Sequence, residues 1–435
     1  MKIFFIATLL PPFIGSANIR ALNYINYLSR LGNTIDVIGV DYPKDSIAYD
    51  NYLEDAFDKE VEVYRINPGF FYNMSYTKKT VNNLDKNTNT HKSSLKKKIA
   101  SFVKRNILIP DPYVLWIYPA YKKALDLIKE KGEYDCIFSM HETPSSHVVA
   151  YKIKKKHPTI QWVGYWSDPW NNDILRENRS FFKIFIEEKM EKNMIKRIDK
   201  LLFTTNSTCQ LYINKYKLNP NMTDIVFRGY DESLYQSIEQ QEQRPEELKI
   251  DKFNMIHTGT IYKELRNINP LYNALKRLKK ENYELFQKIN IIFIGQFTDK
   301  QDEVLMNSLE NVIIKPLIPY KESLKYVVYA DALILFGNRN STQIPGKAYE
   351  YIGSKGTVLT ILGDQNDELK DLMEEIQKGP IILNREDYIY STIISLYNNR
   401  VALPETWNTP AVNYKWINVV NDLRNKFVLN EKLTN

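Results

Sequence analysis

RNSTQIPGKAYEYIGSKGTVLTI occupies residues 339–361. Its first half is polar and breaks at Pro345 and Gly346; a short amphipathic stretch follows, closed by Gly353, and then a β-branched run begins. Proline suits the first turn of a helix and glycine its end, so the stretch reads as a loop, a helix from about Lys347 and a buried strand over 357–362. A loop entering a helix N-terminus offers unpaired amides to an anion. Glu350 lies about one turn into the helix, where a carboxylate can accept paired hydrogen bonds from the hydroxyls of a ribose. Taken alone, a glutamate so placed is more often a solvent-facing helix residue than a ligand.

The surrounding sequence repeats this alternation. Apolar strand-like runs are expected at 2–8, 34–40, 60–66, 136–139, 161–165 and 200–204, with helices at 18–31 and 118–130 between them. The pattern restarts at 253–257, 289–295, 312–315, 332–336 and 357–362, with helices at 270–280 and 321–329. Short apolar strands alternating with amphipathic helices predict parallel sheets covered on both faces. The chain, at 435 residues, is long enough for two cores. The expected organisation is an N-terminal α/β domain over 1–235, a polar linker over 236–252 and a C-terminal α/β domain over 253–411. Residues 412–435 close the chain as a helix. Two doubly wound domains bind ligands beyond the carboxyl ends of their strands, so the loops after strands are where function is sought.

Composition narrows the field. The chain is 43% hydrophobic and 26% charged, as a globular protein is, and no apolar run approaches the roughly 20 residues of a membrane span. MKIFFIATLLPPFIG lacks a small-residue cleavage site and reads as a first strand, so a cytoplasmic location is expected. Two cysteines, Cys136 and Cys209, and five histidines without ligand spacing predict neither a disulfide nor a metal site. The net charge of +7 is concentrated in KSSLKKKIASFVKR at 92–105, whose apolar residues fall at helical spacing between lysines. That stretch suits a membrane-surface helix or a solvated helix on its own domain. No recognition motif for nucleic acid accompanies the charge. Residues 73–92 form a second polar stretch, expected as a loop.

Three strand-end loops carry candidate chemistry. After the first strand, Gly15 permits close backbone approach at a helix start, or serves only the turn. After the strand at 253–257, Gly259 and Thr260 precede Arg266, and a strand-end glycine with a nearby guanidinium can hold a diphosphate; Arg266 and Lys263 can equally be solvated charges. The third loop supplies Thr342, Ile344, Pro345, Gly346, Lys347 and Glu350. GxGxxG is absent, which argues against a nicotinamide enzyme.

IPGKAYEYIGSKGTVLTI resembles the donor-site segment of bacterial GT-B glycosyltransferases similar to family 4. PPFIGSANIR, PDPYVLWIYPA, FSMHETPSSHVVA, WVGYWSDPW, TTNS, RGYD and HTGTIY match the same family in the same order across nearly the whole chain. The resemblance implies a GT-B fold, two Rossmann-like domains facing a central cleft, with the last helix returning to the first domain. It implies that Glu350 binds the ribose of a nucleotide-sugar. Arg266, Thr260, Lys347 and the amides near Gly346 would face the diphosphate, with Gly15 approaching from the other domain. Asp168 matches an acid on the acceptor side, with His147 on a neighbouring loop; Asp168 could otherwise cap a turn before Pro169. The family commonly carries a second glutamate eight positions upstream of Glu350, where this chain has Thr342.

The expected activity is therefore a hexosyltransferase-like glycosyltransferase of surface polysaccharide biosynthesis. It would move a sugar from a nucleotide-sugar to a glycan or lipid-linked acceptor, with no metal and no cofactor, on a retaining course. Helix amides and cations would stabilise the leaving diphosphate, with Asp168 or His147 assisting the acceptor hydroxyl. A GT-B nucleotide-sugar epimerase and a non-catalytic scaffold docked to a membrane by 92–105 are the alternatives.

Overall fold

The computed structural model describes residues 1–13, 15–44, 49–69, 106–141, 143–171 and 179–427. The expectations for 73–92 and 92–105 lie outside these residues. The chain divides into two compact units, Met1–Val226 with Val420–Asn435, and Phe227–Val419.

Unit 1 is built on a seven-stranded parallel sheet in the order β3-β2-β1-β4-β5-β6-β7. Its strands are β1 Lys2–Ile6, β2 Thr34–Val40, β3 Glu62–Ile66, β4 Cys136–His141, β5 Gln161–Trp166, β6 Lys200–Phe203 and β7 Thr223–Ile225. Every strand pair is parallel, as continuous apolar runs such as KIFFI and CIFSMH require when both faces are covered. Helices Ser16–Arg30, Ile117–Lys131, Pro144–Lys156, Phe181–Ile195 and Asn206–Tyr216 supply the cover. The chain returns to this unit at its end, where Leu423 and Phe427 are buried and Phe427 packs 5.2 Å from Phe138. Gln161 Nε2 donates to the Phe427 carbonyl at 2.8 Å, tying the final turn to β5.

Unit 2 carries a six-stranded parallel sheet in the order β10-β9-β8-β11-β12-β13. Its strands are β8 Phe253–Thr258, β9 Ile289–Ile294, β10 Val312–Lys315, β11 Ala332–Phe336, β12 Thr357–Leu362 and β13 Ile381–Leu383. Apolar residues on the two faces of the sheet form separate cores, one around Ile256, Leu333 and Tyr351, the other around Met255, Ile334 and Leu359.

Two features differ from the sequence expectation. The edge strands β7 and β13 went unrecognised because three residues are too few to show a period. The stretch 236–252, expected as a linker, is built into unit 2: helix Glu232–Gln241 covers its first part, and Ile238 and Leu248 are buried in the core. Its polar composition masked two anchoring apolar residues.

Candidate functional site

In unit 2 the chain leaves β8 toward β9 on one side and β11 on the other, so the loops after β8 and β11 diverge beside each other. Such a switch point opens a crevice at the carboxyl ends of the strands. The loop after β8 holds Gly259, Thr260 and Arg266; the segment after β11 holds Asn338 through Glu350.

Gly259 has φ +124°, a conformation favouring glycine, and a Cβ there would sit 3.7 Å from Lys347 Cγ and 4.0 Å from His257 Nε2. Arg266 curls over the same point. Its Nη1 donates to the Thr260 carbonyl at 2.7 Å and its Nε to Asn338 Oδ1 at 3.3 Å. Asn338 is buried and donates in turn to the Gln343 carbonyl at 3.2 Å, linking the two loops. Loss of hydration presses Arg266 below the usual arginine pKa, yet among the described residues no carboxylate lies within ion-pair distance of it. Among the described residues, three of its five N–H donors remain uncommitted.

Lys347 Nζ contacts Glu350 Oε2 at 2.6 Å, and Glu350 is buried with 7% exposure. Tyr235 donates to the Glu350 carbonyl at 2.8 Å and fixes the backbone there. The helix expected from Lys347 is a single short turn, Lys347–Tyr351, capped by Gly346. So short a helix contributes little macrodipole, and the positive field comes from Arg266 and Lys347. Thr342, Ile344 and Pro345 shape the loop; Ile344 packs against the core and Pro345 accepts a hydrogen bond from the Ala348 amide at 3.0 Å.

Four residues of this site escaped sequence reasoning. His257 is 2% exposed, and its Nδ1 lies 2.9 Å from the Ile334 carbonyl. Burial first, then Arg266 and Lys347, lower its pKa to about 3. A carbonyl can only accept, so neutral His257 carries its proton on Nδ1 and presents a lone pair on Nε2, which has no hydrogen-bond partner. The buried Tyr351 hydroxyl accepts the Thr258 amide at 2.7 Å, and Asn338 bridges the loops as described. Asp367 accepts the Gly363 and Leu369 amides at 2.8 and 3.0 Å behind Gly337; burial raises its pKa to about 6. Histidine at a strand end was the one visible signal. Beside the crevice, at the ends of β9 and β10, lies a cavity of about 310 Å³ lined by Gly295, Gln296, Phe297, Lys315 and Pro316.

In unit 1 the other candidates are separately placed. Asp168 follows β5 half-exposed, and Ser167 Oγ donates to its Oδ2 at 2.9 Å. His147 has no exposed atom to offer a substrate. It is fully buried, 3.8 Å from the Trp166 ring and 5.2 Å from His141, with Nδ1 2.8 Å from Ser139 Oγ. Burial, reinforced by His141, holds its pKa well below the ordinary value. Its helix, Pro144–Lys156, turns this side chain inward onto β5. Gly15 precedes helix Ser16–Arg30 in extended backbone, φ 163°, and a Cβ there would meet only Asn18 at ordinary contact distance. Neither its conformation nor its surroundings in the unit demand glycine.

HepE of Anabaena, solved in complex with UDP and glucose, superposes with TM-score 0.63 at 13% identity, covering 98% of both chains. Sucrose-phosphate synthase of Thermosynechococcus elongatus gives TM-score 0.63 at 13% identity over 98% of this chain and 97% of that one. The chain has the GT-B fold. The GT-B likeness extends to a Listeria monocytogenes protein assigned as a UDP-N-acetylglucosamine 2-epimerase, with TM-score 0.56 and 10% identity over 97% of this chain and 94% of that one. No protein-family profile matches the sequence, and no curated protein matches it. Among the described residues of this GT-B chain, no three His, Cys, Asp or Glu side chains cluster as metal ligands, and no helix is long and apolar enough to cross a membrane.

Proposed function

We propose that this chain is a glycosyltransferase that takes its sugar from a nucleoside diphosphate donor bound in unit 2. The observation that carries the reading is Arg266, a partly desolvated cation without a carboxylate partner, held by backbone and amide oxygens at the β8/β11 switch point beside Lys347. Such a group lacks an anion, and a diphosphate supplies one in bidentate geometry. Gly259, Thr260 and Gly346 give the phosphates backbone access. Glu350 accepts the ribose hydroxyls through the oxygen that Lys347 leaves available. The 310 Å³ cavity takes the base. As the bond from the anomeric carbon to the diphosphate lengthens, charge grows on the leaving phosphate, and Arg266 and Lys347 bind it more tightly than in the ground state. Asp168 is assigned to the acceptor hydroxyl, His147 to packing that supports β5, and Gly15 to the donor side. A retaining course, a glycan or lipid-linked acceptor in surface polysaccharide biosynthesis, and a peripheral position on the inner face of the cell membrane complete the reading.

The fold is shared with a protein assigned as an epimerase, so fold alone does not choose between transfer and epimerisation. The test is thermal stability of wild type and Glu350→Ala against UDP, GDP, dTDP, CMP and their sugar conjugates. UDP comes first because HepE binds it. A ligand at a hundred times its Kd stabilises by about 2.7 kcal/mol. One nucleotide class should shift wild type and fail to shift the variant; folded wild type that ignores all of them sinks the donor reading and favours the scaffold. Epimerised nucleotide-sugar, formed without acceptor, would favour the epimerase.

A further inference from the structure

Helix Phe181–Ile195 of unit 1 buries Met194 and Ile195 at its end in the ordinary way, but its first two turns are inverted. Its inward face buries Lys183, Glu187 and Glu191, while Phe181, Phe182 and Phe185 stand 84%, 68% and 58% exposed. A surface helix ordinarily does the reverse. The buried charges hold the helix in this orientation. Lys183 Nζ donates to the Leu108 carbonyl at 2.5 Å, Arg179 pairs with Glu187, and Glu191 accepts from Asn171 at 3.0 Å, from Tyr216 at 2.6 Å and from Tyr212. Rotating the helix to bury the phenyl rings would strand these groups without partners, at a cost exceeding the gain. The exposed aromatics are therefore a fixed feature of the fold.

The same face continues as a cationic stripe. Lys189, Lys192 and Lys196 follow Phe185 at steps of four, three and four residues, the spacing of one helix face, and all are exposed. Beside them runs a groove of about 790 Å³ with Phe185, Ile195, Leu218 and Met222 among its apolar lining, and Lys215 and Lys217 on the far side. Glu188 is the one carboxylate among its lining residues, and Lys215 lies 4.0 Å from it. Lys189, Lys192, Lys196 and Lys217 form no ion pair among the described residues.

We propose that this face docks on an anionic lipid bilayer, with Phe181, Phe182 and Phe185 inserted at the headgroup boundary and the lysines over the phosphates. Charge complementarity selects an acidic partner, and the rings decide which kind. Phenyl groups this exposed, without hydrogen-bonding capacity, need a medium that yields around them; a bilayer interface does so, whereas a protein partner must supply three matched pockets. The proposal deepens the peripheral-membrane part of the proposed function but does not rest on the donor site.

The test is sedimentation of the full chain with vesicles of phosphatidylcholine alone and of phosphatidylcholine with a quarter phosphatidylglycerol. Wild type should partition onto the anionic vesicles and detach as salt is raised. Each lysine near such a surface is worth about a fivefold change in partitioning, so Lys189→Glu/Lys192→Glu/Lys196→Glu should lose roughly a hundredfold or more. Phe181→Ala/Phe182→Ala/Phe185→Ala should lose tenfold or more while keeping wild-type melting, since the rings contribute little to the fold. If both folded variants partition like wild type, membrane contact resides elsewhere and the proposal fails. It fails also if wild type ignores both vesicle types. A nucleotide melting shift measured alongside reports the donor site independently of either result.

Discussion

Acidification from pH 7.0 to 5.5 should weaken this protein, and replacing one histidine should reverse the trend in unit 2. His257 is held neutral in the fold, with its pKa near 3, while the unfolded chain protonates it near 6.5. The sign follows: a depressed histidine contributes stability above pH 6.5 that is lost as the pH falls from there toward 3. Over this step the unfolded state gains about 1.2 kcal/mol from His257. His147, whose pKa burial also lowers well below the ordinary value, acts in the same direction in unit 1. Asp367 acts oppositely. Its pKa is raised to about 6 from 3.8, so its burial penalty is relieved as it protonates in the fold, returning about 0.8 kcal/mol to unit 2.

Unit 2 should therefore lose only about 0.4 kcal/mol net, and His257→Asn should turn that loss into a gain near 0.8 kcal/mol. Asparagine keeps a donor for the Ile334 carbonyl but does not titrate. The assay is urea unfolding at both pH values, followed by tryptophan fluorescence and far-ultraviolet dichroism, for wild type, His257→Asn and His147→Asn. His257→Asn should remove about one proton from the uptake on unfolding at pH 5.5, and His147→Asn should lower that uptake as well. If His257→Asn shows the wild-type pH slope, His257 already titrates in the fold, and the sheltered Nε2 lone pair inferred from its contact with the Ile334 carbonyl does not exist.

Three further substitutions probe the donor site. Arg266→Gln should weaken binding of the stabilising nucleotide tenfold or more in isothermal titration, yet leave the ligand-free melting midpoint unlowered or raised, because it removes an unneutralised cation and no carboxylate loses a partner; unchanged affinity would make Arg266 a structural residue. Gly295→Ala places a methyl 2.1 Å from the Gly259 carbonyl oxygen at φ +143°, so roughly 3 kcal/mol of stability should be lost by denaturant titration, and nucleotide affinity with it; a fully stable variant would mean the β8 loop moves freely. Tyr351→Phe deprives the Thr258 amide of its 2.7 Å acceptor and should cost about 1–3 kcal/mol, measured the same way; no loss would show another acceptor replacing it.

What the sequence disclosed depended on the physical signal each element carries. Strands buried on both faces, such as INIIFI in β9 and TVLTIL in β12, are unbroken apolar runs and were legible nearly to the residue. β13, with three half-buried residues at a sheet edge, carries no such signal. In the site, Lys347 and Glu350 stood out because Pro345 and Gly346 mark the helix start, and the structure brings Lys347 beside Gly259 and pairs it with Glu350. The electrostatics were not legible. A strand-end histidine is silent about which nitrogen carries its proton, and Asn338 looks like any loop asparagine until the fold sets it between Arg266 and the Gln343 carbonyl. His147 was read as available because its loop was; helix Pro144–Lys156 turns it inward instead, and periodicity over so few residues does not reveal which face of a helix meets the sheet.

The charges of unit 2 suggest why this crevice is incomplete as it stands. Around Arg266 the fold supplies the Thr260 carbonyl and the Asn338 amide oxygen, dipoles that steady a guanidinium without neutralising it. Glu350 is engaged by Lys347, and Asp367, the acid whose charge acts on Arg266, is turned toward the Gly363 and Leu369 amides. A cation without a paired carboxylate lowers the stability of the empty protein, since lost hydration is repaid only in part. An anion entering the crevice recovers that deficit on binding. The arrangement that destabilises the unliganded unit is thus the one that makes a diphosphate bind there, and the melting shift on nucleotide addition should be largest in the unit that carries Arg266.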